Sequence, residues 1–244
     1  MSNIEQKISN RNPDCWHYVI LPATDYRRVW HLQQELVAAR KEKTIDADTV
    51  LILEHFPVFT FGRRGLDENL TVSEAFLKKS GIGLIQVERG GSITFHAPGQ
   101  LVVYLIMDLQ RAGLGVADYV TRLEEIMLRT ARDWGVAARR NSLNRGIWVD
   151  LKKMGSVGIA VRRGITFHGL ALNVNLSLDP FSWIHPCGLK GIQVTSLAKE
   201  SGRNVSISRV RTAVKRHIES VFGIRLKTTG LPALQRRLCK KTAD

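Results

Sequence analysis

No apolar run in this sequence is long enough to cross a bilayer. The longest, Leu101 to Met107, is of strand length, whereas a spanning helix needs about 20 such residues. The first residues are polar and lack the apolar core of a secretory signal, so a cytoplasmic protein without a membrane partner is expected. Cysteine is scarce: Cys15, Cys187 and Cys239 are odd in number and far apart. With no C-x-x-C pair, neither a disulfide framework nor a zinc site is supported. There is no G-x-x-x-x-G-K-[ST] phosphate loop, no dinucleotide fingerprint, and no H-E-x-x-H or G-x-S-x-G. No metal and no cofactor are therefore expected. Aromatics reach only 7% and do not interleave with the basic residues, which ranks a nucleic-acid binder low.

Against these absences stand 244 residues, 44% of them hydrophobic, enough for one sizeable core. The reading is a single domain over residues 1–244, with a core at about 15–225 and a basic tail at about 226–244. The formal net charge is +14, and from Ser201 onward eleven Lys plus Arg face two acids. Such a surface suits an acidic partner, or it is a solvated basic face.

Helical spacing of apolar residues predicts helices over 25–43, 73–80, 117–134 and 208–222. Gly81, Gly135 and Gly223 stand at three of their ends, where a left-handed residue stops a helix. Strands are predicted over 49–53, 84–87, 101–107, 146–150, 156–161 and 170–174. The 101–107 strand is apolar on both faces and so central. Pro57 demotes 58–61 to an edge or loop-flanked strand. Short turns between consecutive strands in the second half predict an α+β fold with antiparallel pairs, not a doubly wound parallel sheet.

Two segments echo each other: Arg89-Gly-Gly-Ser-Ile-Thr-Phe-His96 and Arg163-Gly-Ile-Thr-Phe-His168. Glycine lets backbone approach a ligand closely, and strand alternation separates Ile and Phe from Thr and His. The two histidines are either ligand-facing or hydrogen-bonded structural residues. In His185-Pro-Cys-Gly188, a stiff proline and a bare glycine flank Cys187. That setting fits an accessible thiol, although free cysteine is also among the most buried residue types. A reactive thiol needs a base or cation nearby. Lys153 precedes a turn of small residues. It is either exposed or turned toward an apolar pocket, where it could act as a base.

The blocks Arg89–Tyr104, Lys152–Asn175 and His185–Leu197, with His55–Gly65 before them, resemble the lipoyl(octanoyl) transferase family over roughly residues 50–200, in that family's order and spacing. The resemblance implies the fold of the biotin and lipoate protein ligases, a mixed sheet flanked by helices. It implies transfer of an octanoyl group from octanoyl-acyl carrier protein to a lysine of lipoyl domains, in 2-oxoacid dehydrogenases and the glycine cleavage H protein. It makes Cys187 the acyl-thioester nucleophile and Lys153 its catalytic partner; His185 is the alternative base. Substrate binding falls to Arg89, Gly90, Gly91, Ser92, Ile93, Thr94, Phe95 and His96, to Ser156, Val157 and Gly158, and to Gly169, Leu170 and Ala171. One departure is Ala97, where the family has glycine, and a slightly different loop is expected there. An ATP-dependent lipoate or biotin ligase is the competing reading; it would need no cysteine.

Overall fold

The computed structural model describes residues 14–65, 69–186 and 191–239. Cys187 and Gly188 lie outside these residues.

An eight-stranded sheet forms the centre. Its strands are β1 (Cys15–Ile20), β2 (Thr49–Leu53), β6 (Gln100–Ile106), β7 (Gly146–Val149), β8 (Lys152–Arg162), β9 (Ile165–Asn173), β10 (Gln193–Val194) and β11 (Arg225–Thr228). Their order is β10-β8-β9-β6-β2-β1-β11, with β7 paired to β8. The β2-β6-β9-β8-β7 run is antiparallel, and β1 runs parallel to β2 and β11. The sheet is thus mixed and the fold α+β, as the strand spacing predicts.

Alternation explains the two main cores. On β2, Val50 and Ile52 face one side while Leu51 and Leu53 face the other; on β6, Leu101, Val103 and Leu105 oppose Val102, Tyr104 and Ile106. A strand buried on both faces reads as a continuous apolar run, which these two do. The first face is covered by α3 (Val116–Asp133) and α5 (Ile207–Phe222), and the second by α1 (Tyr26–Lys41) and α6 (Leu231–Cys239). Asp25 caps α1 by accepting from Arg28 N. No helix among the described residues is long and apolar enough to cross a membrane.

A smaller three-stranded sheet stands beside the first: β4 (Gly83–Gln86), β3 (Val58–Phe61) and β5 (Ile93–His96), in the order β4-β3-β5. Here β3 is central, not at an edge. Pro57 precedes the first paired residue, Val58, so its missing N–H removes nothing from the ladder. The short helix α2 (Glu74–Lys79), capped by Ser73, and the 3-10 turn Asp179–Trp183 belong to this region.

Beyond residue 225, β11 pairs with β1 (Trp16↔Leu226), and Leu234 of α6 is fully buried in the second core. A short helix, α4 (Leu197–Ser201), follows β10.

Candidate active site

The two sheets meet around a cavity that opens to solvent. Strand β5 and the turn before it supply Arg89, Gly90, Gly91, Ser92, Ile93, Thr94 and His96. Strand β8 supplies Ser156, Val157 and Gly158, and β9 supplies Gly169, Leu170 and Ala171. All the substrate-binding residues expected from sequence except Phe95 therefore converge on one hollow. Phe95 packs away from it, against Phe59 and Phe181.

Register accounts for the convergence. Strands β8 and β9 pair Ser156↔Ala171, Val157↔Leu170 and Gly158↔Gly169, which puts the two blocks side by side. Gly169 is required by its neighbour: a Cβ there would lie 2.1 Å from Val103 O. Arg89 is anchored below the wall, donating from Nη2 to Thr60 O (2.7 Å) and Thr60 Oγ1 (3.0 Å).

The inner end is lined by Tyr26, Val102, Tyr104, His96 and His168, all buried. His96 Nδ1 meets Gln100 Oε1 at 2.6 Å, and Gln100 Nε2 donates to Asn173 Oδ1 at 2.9 Å. Nearby, His55 Nε2 meets Tyr104 OH at 2.8 Å. Burial lowers the pKa of His96 to about 3 and that of His55 to about 4, so both rings are neutral. His168 adopts φ +58°, uncommon for a residue other than glycine. Its backbone N donates to Gln33 Oε1 at 2.7 Å, and its Nδ1 lies 3.4 Å from Tyr26 OH. The two echoed histidines thus share the cavity floor and are also held by hydrogen bonds.

At the mouth, Asn144 faces the cavity and accepts a hydrogen bond at 2.9 Å from Lys153 Nζ. Lys153 is only 3% exposed. Its Nζ lies 5.2 Å from the centroid of the Trp148 ring. Lys153 is therefore not exposed, and it lies within strand β8 instead of ahead of a turn. The Asn144 loop is tied down by Glu124 of α3, which accepts from Gly146 N (2.9 Å) and Arg140 Nε (3.2 Å).

The cysteine block is described only at its edges. His185 N donates to Asn69 O at 2.8 Å. After the block, β10 pairs with the lysine strand, Val194 opposite Lys153, and Thr195 N donates to Lys153 O at 2.9 Å. Ala97 has none of the positive-φ geometry found at Gly99 (φ +90°), so the loop accepts alanine without backbone strain.

Sequence reasoning missed Tyr26, Asn144 and the polar role of Tyr104. Tyr26 and Tyr104 sit at positions that read as core, and the Asn144 loop carries no local motif.

This architecture has relatives. Residues 25–219 match the family described as lipoyl protein ligase A/B catalytic domain. An octanoyltransferase of Desulfotalea psychrophila (strain LSv54 / DSM 12343) is 44% identical over 207 residues, 84% of this chain and 93% of that protein. Among solved structures, a lipoate-protein ligase A bound with ATP superposes with TM-score 0.72 at 19% identity, covering 91% of this chain and 92% of that one. A biotin protein ligase from Aquifex aeolicus in complex with biotin and ATP does so with TM-score 0.51 at 12% identity, covering 87% and 71%. These two likenesses establish the fold expected from the sequence. The chain belongs to the lipoyl(octanoyl) transferase family, within the lipoyl protein ligase A/B catalytic domains, and is an acyltransferase.

Proposed function

We propose that this enzyme transfers octanoyl from octanoyl-acyl carrier protein to a lysine of lipoyl domains through a thioester on Cys187. Its 44%-identical relative is an octanoyltransferase; the lipoyl acceptor, the donor and the covalent intermediate are the further steps proposed. The observation that carries them is the Lys153 amine, buried and bonded to Asn144, which lines the cavity. The chain that leaves the cysteine block is paired to the same strand.

In the first half-reaction Lys153 takes the Cys187 proton, and the thiolate attacks the octanoyl carbonyl. The C–S bond to the donor breaks, and the departing thiolate receives the proton back from Lys153. In the second half-reaction the neutral amine of the acceptor lysine attacks the acyl-enzyme. A C–N bond forms, the bond to Cys187 breaks, and Lys153 passes the proton released by the amine to the departing Cys187 thiolate. The eight-carbon chain lies inward among Val102, Leu170 and Ala171. Each buried methylene there contributes about 0.8 kcal/mol. No step consumes ATP, since the acyl group arrives activated. The acceptors are the lipoyl domains of 2-oxoacid dehydrogenases and the glycine cleavage H protein, and the chain works as one catalytic unit.

The test is intact-mass measurement after incubation with octanoyl-acyl carrier protein. The wild type should gain one octanoyl group and Cys187→Ala none. Transfer that survives Cys187→Ala and requires ATP would instead favour the ligase reading.

A further inference from the structure

The acyl cavity has a neighbour. Arg64, Asn141, Ser142, Leu143 and Arg145 help to wall a second, more open hollow of about 980 Å3, counted out to its mouth. Five residues face both spaces: Gly90, Gly91, Asn144, Val157 and Gly158. They form a shared rim, and Asn144, the partner of Lys153, is part of it.

A thioester has two arms that diverge from one carbonyl. The acyl arm fits the inner cavity, whose floor is buried. The carbonyl must then lie at the rim, beside Asn144 and Lys153. Across the shared rim the sulfur arm has a continuous path into the second hollow. We propose that this hollow binds the 4′-phosphopantetheine arm of the acyl donor; the inference rests on the octanoyl-transfer reading above. The match is chemical. Such an arm carries two amides and ends in a phosphodiester. The hollow offers glycine backbone along its rim and the carboxamides of Asn141 and Asn144. Asn141 Oδ1 already accepts from Leu143 N at 2.9 Å, which leaves its amide N–H groups to donate. At the outer side stand two arginines, the side chain best suited to a phosphate. Arg64 is exposed and has no ion pair among the described residues. Arg145 is 55% exposed and touches Glu124 only at 3.4 Å. Glu124 keeps Arg140 and Gly146 N as partners without it, so Arg145 is available to a ligand.

The experiment compares kcat/KM for octanoyl-4′-phosphopantetheine with that for octanoyl-pantetheine, which lacks the phosphate. Wild type should prefer the phosphorylated donor. Arg64→Ala and Arg145→Ala should each cut that preference about tenfold, the effect of losing one charge-assisted hydrogen bond. Arg203→Ala, an exposed arginine outside both cavities, should leave it intact. Because the readout is a ratio within one protein sample, partial unfolding does not mimic it. Octanoyl-coenzyme A and octanoyl-acyl carrier protein share the arm and should lose by the same factor. If only the carrier protein loses, the arginines read the carrier's surface and the proposal is overturned; a preference unmoved in both variants overturns it too. If wild type transfers octanoyl from none of these donors, the transferase mechanism itself is at fault, not the subsite.

Discussion

Lys153 Nζ and Asn144 Oδ1 stand 2.9 Å apart although they belong to different segments, one a strand and the other the loop before β7. The carboxamide ties the amine to a residue that lines the cavity, and Trp148 lies on its flank. Lys153→Ala should slow acyl-enzyme formation by about 100-fold or more, the usual worth of a positioned base. Asn144→Ala should cost about tenfold by loosening that position. Single-turnover intact-mass kinetics check both. If His185→Ala abolishes the acyl-enzyme while Lys153→Ala does not, the assignment of the base is wrong.

The neutral histidines under the cavity predict a pH-dependent stability. Each takes up a proton in the unfolded chain as pH falls through about 6.5. In the folded protein His55 does so only near about 4 and His96 near about 3. Between those values the unfolded state binds more protons, so stability rises with pH. It is complete above the unfolded pKa and is lost as pH falls toward the folded ones. The slope is about 1.4 kcal/mol per pH unit for each histidine. Urea unfolding at pH 7, 6 and 5 should show the decline, and His96→Gln should make it shallower. A flat profile would contradict the neutral assignment.

A net charge of +14 favours encounter with acidic proteins, an effect that salt screens. The kcat/KM for octanoyl-acyl carrier protein should fall between 20 and 500 mM NaCl, roughly a low-to-high span of screening, while kcat changes little. An efficiency that ignores ionic strength removes charge steering from the account.

Glycine is demanded unequally around the cavity. Gly169→Ala would push a methyl into Val103 O, 2.1 Å away, on the central strand β6. Its cost should reach about 3 kcal/mol, the upper end for overpacking. At Gly90 the nearest atom to an added Cβ is 3.7 Å away, and φ lies outside the left-handed region. Gly90→Ala should therefore stay within about 1 kcal/mol. Chemical denaturation of both variants distinguishes them.

The parts of the fold legible in sequence are those whose signal is local. Strand β2 carries four consecutive apolar residues, Val50 to Leu53, and α3 shows a clean stripe ended by Gly135. Strand β11 is not legible: Arg225–Thr228 is basic and becomes a strand only by pairing with β1, more than 200 residues earlier. Likewise β3 is central because of neighbours that no local pattern announces. The glycine-rich blocks that wall the cavity are recognisable because close backbone approach leaves few alternatives to glycine. Tyr26 and Tyr104 are not, since a core tyrosine and a cavity tyrosine occupy the same helical or strand position. Lys153 was identifiable as a candidate, but its burial depends on the Asn144 loop folding over it.

Strand β6 sends Leu101 and Val103 into the main core while Val102 and Tyr104, in alternation with them, shape the hollow. Reshaping the acyl-binding wall thus means editing a strand buried along its whole length. Variants selected for longer or shorter acyl groups through this wall should emerge thermally weakened, and second-site repairs should cluster on α3 and α5 across the sheet.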